Sequence, residues 1–394
     1  MKVICTCLPG YGHFYPMVPL GTALVEAGHE VVFATAEEFC AKIEEFGFGS
    51  FPAGISLASQ LEQAGATIPE AAMPPGKERF ESFVPRMLAG VAAPPRAREL
   101  LPFLRDWHPD LLVHEETELG GPVAAAAAGV PWADQAVGIM RPLSMARLAG
   151  QTLAPLAEEW GVDIGPYAGL FRYLYLDVCP PSLQSPEIAQ IEVAHLMSNV
   201  VPDAGGDGLP AWIDQLDQSR PTVYVSLGTI FNQDPGVFAT ILAGLGNEHL
   251  NLIVTLGPGA DPAVLGPQPE HVHVEAFIPQ DLVLPRCDVV INQGGTAILS
   301  ILGHGRPVLV LPQGANQFHN AEACVASGAG RCLVASQLDS TSVRTEVLRL
   351  LDDPSYAEAA GALAREMADM PRPADGVALL ERLVADHAPL LGSR

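Results

Sequence analysis

Read for its hydrophobic and polar positions, the chain opens as a regular alternation. Lys2–Leu8 is an apolar run with β-branched residues, which predicts a buried strand. After the turn Pro9–Pro16, residues Val18, Leu20, Leu24 and Ala27 recur near helical spacing and Gly28 stops the helix. Glu30–Ala34 then predicts a strand, Glu37–Phe46 a helix and Gly49–Pro52 a short strand. Alternation of this kind lays down a parallel α/β sheet. Ser56–Lys77 breaks it, being small, polar and proline-containing, and predicts an irregular, mobile segment that covers a site and orders when the site is filled. The pattern resumes with a helix over Arg79–Arg105, a strand at Leu111–His114, an alanine-rich helix at Gly121–Ala128 and a strand at Trp132–Gly138. Helical pieces are expected from Pro142 to Tyr175.

Val201–Pro210 (VPDAGGDGLP) is nearly free of apolar residues and marks a linker, after which the alternation restarts. Thr222–Leu227, Asn251–Thr255 and His271–Glu275 predict strands. The clearest unit spans Asp288–Ala321: a strand at Asp288–Ile291, a turn at Gln293–Thr296, a helix at Ala297–Leu302, a strand at Val308–Leu311 and a polar loop at Gln313–Asn320. Strand–helix–strand units build parallel sheets through right-handed crossovers. The chain therefore divides into domains at 1–200 and 221–375, a linker at 201–220, and a final helical segment at 376–394.

Composition narrows the partners. The 394 residues carry 45 acidic and 21 basic side chains, a formal charge of −24, which disfavours nucleic acid and acidic membrane surfaces. The seven cysteines are scattered without metal-ligand spacing and read as buried free thiols. No apolar run is long enough to span a bilayer and no charged leader precedes the first strand, so a soluble cytoplasmic protein is expected.

His13 lies on the loop after the first strand, at the carboxyl edge where open α/β sheets bind ligands, and Gly10 and Gly12 let the backbone approach one. Histidine is the usual base near neutral pH, and such a base needs a carboxylate to fix its tautomer. Glu115, Glu116 and Glu118 all follow the Leu111–His114 strand and are alternatives for that part. In the second half, the glycines of Gln293-Gly294-Gly295-Thr296 sit where a strand becomes a helix, a place suited to phosphate. No His/Cys/Asp/Glu set has convincing ligand spacing, so no metal is expected.

These motifs resemble the nucleotide-sugar-dependent glycosyltransferases of GT-B architecture, in particular the actinomycete antibiotic type. The likeness is carried by Leu302-Gly303-His304-Gly305-Arg306-Pro307 and by Pro312-Gln313-Gly314-Ala315-Asn316-Gln317-Phe318-His319-Asn320-Ala321, and extends over nearly the whole chain. It implies an α/β fold of two Rossmann-like parallel-sheet domains facing a central cleft. It implies an inverting, metal-independent transfer of a sugar from a TDP- or UDP-sugar to an apolar natural-product acceptor, with no other cofactor. His13 would deprotonate the acceptor hydroxyl and Glu115 would orient it. Ser226, Gly228 and Thr229 resemble the turn near the diphosphate; Ile278 and Gln280 would frame the base; Gly294, Gly295 and Thr296 would hold the diphosphate. Gln313, Asn316 and Gln317 would bond sugar hydroxyls. The family's diphosphate-binding histidine is replaced here by Asn292 or Gln293, depending on where a one-residue gap falls, and its sugar-binding aspartate by Asn316. A homodimer is left open. Other readings of the same motifs are a sugar-nucleotide epimerase, which needs no separate acceptor, and a non-catalytic nucleotide-sugar-binding paralogue.

Overall fold

The computed structural model describes residues 1–74, 76–199, 209–228, 235–257 and 259–392. The chain forms two compact units, one of Met1–Cys179, Gln184–Val201 and Met370–Arg394, the other of Pro180–Leu183 and Pro202–Asp369. Each is built on one parallel sheet, the architecture implied by the alternation of apolar runs.

In the first unit the strands are β1 (Lys2–Thr6), β2 (Glu30–Thr35), β3 (Gly49–Pro52), β4 (Leu111–Glu115), β5 (Trp132–Gln135), β6 (Tyr175–Asp177) and β7 (Ala194–Leu196). Their spatial order is β3-β2-β1-β4-β5-β6-β7. The order reverses between β1 and β4, whose register sets Thr6 beside His114. Strands covered on both faces read as continuous apolar runs, and Val3, Ile4, Leu111, Leu112 and Val113 are fully buried. Below the sheet lie Leu100, Leu104, Ala124 and Trp132; a helical layer adds Phe83, Met87, Leu88, Leu153 and Leu156. The last helix, Pro373–Asp386, packs on helix Val18–Glu26 within this unit.

The second unit holds β8 (Thr222–Ser226), β9 (Asn251–Thr255), β10 (Val272–Glu275), β11 (Val289–Asn292), β12 (Val308–Val310) and β13 (Gly330–Cys332), in the order β10-β9-β8-β11-β12-β13. Its reversal falls between β8 and β11, and Val225, Leu252, Ile291, Leu309 and Val347 fill its core.

Two expectations need correction. Ser56–Lys77 is not irregular: Leu57–Thr67 is a helix capped by the Ser56 hydroxyl, which accepts from Ser59 N–H at 3.0 Å, and a 3₁₀ turn follows at Pro69–Ala72. Its buried positions are Gln60 and Ala64, so the inward face carries almost no hydrophobic signal. Of the helical pieces expected between Pro142 and Tyr175 one forms, Leu143–Trp160, and the rest of that stretch is turns that lead into β6. The linker Val201–Pro210 lies outside the described residues up to position 208. Among the described residues, no helix is long and apolar enough to cross a membrane.

Candidate active site

At the reversal point of the first sheet the chain leaves β1 into a single helical turn, Tyr11–Phe14. Gly10 C=O accepts from His13 N–H at 3.1 Å and Phe14 N–H at 3.0 Å, which closes the turn. Phe14 is fully buried and packs edge-to-face on Phe33 and Phe46 at 5.3 Å. Anchored by that ring, the turn presents its neighbour His13, whose side chain is 30% exposed.

Glu115 ends the adjacent strand β4 and is fully buried. Its Oε1 lies 3.0 Å from His13 Nδ1. The carboxylate also accepts from Thr117 N–H at 2.7 Å, from the Thr117 hydroxyl at 2.5 Å, and from Leu8 N–H at 3.3 Å. Burial alone would raise this carboxyl, but the charge and hydrogen bond of His13, together with both Thr117 donors, hold it down to about 2. Thr117 Oγ, having given its hydrogen to Glu115, turns a lone pair to His13 Nδ1 at 3.1 Å. The Nδ1 position of His13 thus faces two acceptors, so Nδ1 carries the hydrogen and Nε2 is left as a base.

The two other carboxylates of this loop are committed elsewhere. Glu116 is buried between the Tyr175 hydroxyl at 3.0 Å and Arg141 at 3.3 Å. Glu118 accepts from Gly120 N–H, Gly121 N–H and the Thr6 hydroxyl, which seats the start of helix Gly120–Ala128. Thr117 was not singled out from sequence; a hydroxyl two residues past a strand-end glutamate was the available signal.

The second sheet offers a comparable place. Ser226 ends β8 and Gly228 follows with φ +74°; Thr229 lies outside the described residues. Asn292 ends β11 fully buried, its amide donating to Ser226 C=O at 2.9 Å and accepting from Gly294 N–H at 2.8 Å. Both ends of that side chain are consumed by the backbone. Gln293 is buried and its Oε1 has no hydrogen-bond partner among the described residues. Its Nε2 fills the space over Gly228, where an added Cβ would come within 2.2 Å. Gly294 has φ +87°, and a Cβ there would meet Val310 at 2.6 Å, so only glycine fits. Beyond Gly295 and Thr296 the helix Ala297–Gly303 has seven residues and no side-chain cap.

The polar loop after β12 closes on this turn. Asn320, part of the sequence motif but given no role there, donates to Gly294 C=O at 2.7 Å. Gln317 Oε1 accepts from Gln313 N–H at 2.8 Å and Gly314 N–H at 3.0 Å, so this carboxamide oxygen shapes its own loop and is not available to a ligand. Among the described residues Gln313 Nε2 is buried without a partner, and Asn316 stands at the start of helix Gln317–Ala326 with no side-chain cap bond. Ile278 is buried beside the exposed ring of Phe277, and Gln280 opens a short helix. Among the described residues no group of three or more His, Cys, Asp or Glu is arranged to hold a metal ion.

With this geometry in view, known proteins can be compared. Residues 22–228 match the family model described as erythromycin biosynthesis protein CIII-like, N-terminal domain, and residues 239–383 match its C-terminal counterpart. The L-demethylnoviosyl transferase of Streptomyces niveus is 33% identical over 97% of this chain and 99% of its own. Among solved structures, the Streptomyces sp. SF2575 glycosyltransferase SsfS6 complexed with thymidine diphosphate is 28% identical with a TM-score of 0.80, covering 97% of this chain and 99% of that one. The spinosyn rhamnosyltransferase SpnG complexed with spinosyn aglycone is 26% identical with a TM-score of 0.80, covering 97% of this chain and 100% of that one.

Proposed function

The chain is a glycosyltransferase belonging to the erythromycin biosynthesis protein CIII-like family, and we propose that it transfers a deoxysugar from a TDP-activated donor to a hydroxyl of an apolar natural-product aglycone, with inversion. The observation that carries the reading is the buried Glu115 carboxylate held against Nδ1 of a part-exposed His13. His13 Nε2 takes the proton as the acceptor oxygen bonds to the anomeric carbon. The bond from that carbon to the diphosphate oxygen breaks, and its electron pair leaves with the nucleoside diphosphate. Glu115 stabilises the imidazolium that forms, as a triad carboxylate does.

In this reading the first unit receives the acceptor and the second the donor. Gln293, Gly294, Gly295 and Thr296, with Ser226, Gly228 and Thr229, are proposed to hold the diphosphate. Ile278 and Gln280 are proposed for the base, and Gln313 and Asn316 for sugar hydroxyls. Asn292 and Gln317 are reassigned to shaping the site, since the hydrogen bonds of Asn292 and of Gln317 Oε1 go to backbone. Thymidine diphosphate in SsfS6 and aglycone in SpnG support the choice of donor and acceptor class. A cytoplasmic location belongs to the same proposal, because the donor is a nucleotide-activated sugar. Every residue invoked belongs to one chain, so the reading holds for a monomer or a homodimer alike.

The test is a matrix of TDP- and UDP-sugars against polyketide aglycones, read by mass spectrometry, with the anomeric configuration of any product taken by NMR. Products formed from TDP-sugars with inverted configuration are expected. Retained configuration would remove the direct-displacement mechanism, and turnover of the donor without an acceptor would point to an epimerase.

A further inference from the structure

Beneath the His13–Glu115 pair lies a second buried imidazole and carboxylate that the mechanism above does not use. His114 precedes Glu115 on β4 and Asp134 is its in-register neighbour on β5. Their side chains are 0% and 1% exposed, with Nε2 2.8 Å from Asp134 Oδ1. The other Asp134 oxygen accepts from Phe171 N–H. On its far side, His114 Nδ1 lies 2.8 Å from Glu118 C=O and 3.1 Å from Glu115 C=O. Both are acceptors only, so Nδ1 must carry a hydrogen.

Those two carbonyls bracket the turn that carries the site. Glu118 N–H closes it onto Glu115 C=O at 2.9 Å, and within it Glu115 and Thr117 supply both groups that face His13. A fully buried position on a central strand is filled most cheaply by an apolar side chain, since a buried ion pair repays its desolvation only with good geometry and further hydrogen bonds. Here every polar atom of the imidazole is used, and two of its three contacts go to this one turn. Burial disfavours the imidazolium, yet the Asp134 carboxylate, with Glu118, raises His114 above the usual imidazole range. That keeps the Nδ1 hydrogen in place.

We propose that His114, fixed by Asp134, is a positioning residue for the general base: its Nδ1–H clamps the Glu115–Glu118 turn so that Glu115 and Thr117 hold His13 in the tautomer with Nε2 free. This rests on the assignment of His13 and Glu115 as base and orienting carboxylate.

The tautomer of His13 is a direct readout that needs no substrate. Nitrogen-15 long-range correlation spectra of the imidazoles, recorded on the alkaline side of neutrality, separate the two ring nitrogens widely in a single tautomer and draw them together in a mixture. Among the eleven histidines, His13 is assigned by its loss in His13→Ala. The wild type should show His13 as one tautomer, and Glu115→Ala should make it a mixture. His114→Gln places an amide nitrogen where Nε2 was and loses the Nδ1 donor, so His13 should become mixed there too. His114→Asn places its amide nitrogen where Nδ1 was, and should keep the single tautomer. Should His114→Gln fail to fold, the double variant His114→Leu/Asp134→Asn, which leaves no buried charge unpaired, should give the same mixture. If Glu115→Ala leaves His13 unchanged, the base assignment itself fails. If Glu115→Ala acts but His114→Gln or the double variant does not, or if His114→Asn and His114→Gln act alike, the clamp is overturned and the base assignment stands.

Discussion

The two sheets reverse their strand order at equivalent places, between β1 and β4 and between β8 and β11, and each puts a strand-end turn there. The chemistry at the two turns differs. In the first unit a buried carboxylate accepts from three donors and is set against an imidazole. In the second, the corresponding positions hold neutral amides: Asn292 bonds the backbone, and Gln293 keeps a buried oxygen with no partner among the described residues. A carboxylate that must steer a proton has to be fixed before substrate arrives, because tautomer and direction depend on it. A turn that receives a diphosphate can rely on backbone N–H groups, which carry no net charge and never titrate. The fold thus spends its buried charge on the proton-transfer side and leaves the proposed anion side soft.

The comparison breaks most visibly on activity. Replacing His13 with alanine should lower kcat by about 10²–10⁴-fold while TDP affinity stays within about twofold, because a general base acts on the acceptor. Residual turnover above about a tenth of wild type would remove His13 from the base role. The next effect is on stability. Glu115 has its pKa lowered from 4.5 to about 2, so its ionised form stabilises the fold above the unfolded-state value and that contribution is lost as pH falls towards 2. Linkage puts it at about 3 kcal/mol as an order of magnitude. Unfolding of wild type and Glu115→Gln should therefore converge by that amount between about pH 5 and pH 2. Parallel acid limbs for the two proteins would show that the carboxylate is not held ionised by its partners.

Much of this was legible in the chain itself. Apolar runs and their turns reported two parallel sheets because strands buried on both faces have to be continuously hydrophobic. His13 and the three glutamates stood out because each follows such a run. Which glutamate faces His13 came only from the resemblance, which implied Glu115; the pattern of residues left three open. Consecutive loop residues point in different directions, and only the backbone path shows Glu116 turned to Tyr175 and Glu118 turned to Gly121. His114 and Asp134 were hidden for a different reason: their pairing is a cross-strand register between segments 20 residues apart. The helix Leu57–Thr67 was missed because a serine cap and a buried glutamine, bonded to Ile55 C=O at 2.9 Å, do the work that apolar spacing usually advertises.

On the anion side the effects are smaller, and they separate the two amides. Asn292→His can keep at most one of the bonds to Ser226 C=O and Gly294 N–H, because Nδ1 takes the place of only one amide atom, and it leaves a buried backbone group without its partner. A cost of roughly 1–3 kcal/mol in unfolding free energy is expected, with no gain in TDP affinity. A variant as stable as wild type would mean that this amide does not hold the turn.

Gln293 is the opposite case. Its carboxamide occupies the space over Gly228 and its Oε1 bonds to none of the described residues, so a substitution disturbs no described partner of that oxygen. If the diphosphate is received here, glutamine can offer it only a neutral N–H. An imidazole in the same place donates too, and when protonated it donates with charge, which adds about 1 kcal/mol, or several-fold in affinity. Gln293→His should accordingly tighten TDP several-fold near pH 6 and lose that advantage by about pH 8, since free imidazole titrates near 6.5. The terminal phosphate of TDP changes charge over the same range, so the informative quantity is the difference between variant and wild type, in which the ligand's own titration cancels. Calorimetric titration at both pH values supplies it. A difference that is flat with pH, or a variant that binds TDP more weakly at pH 6, would mean that Gln293 does not face the diphosphate, and the phosphate contacts would then fall to the glycine backbone alone.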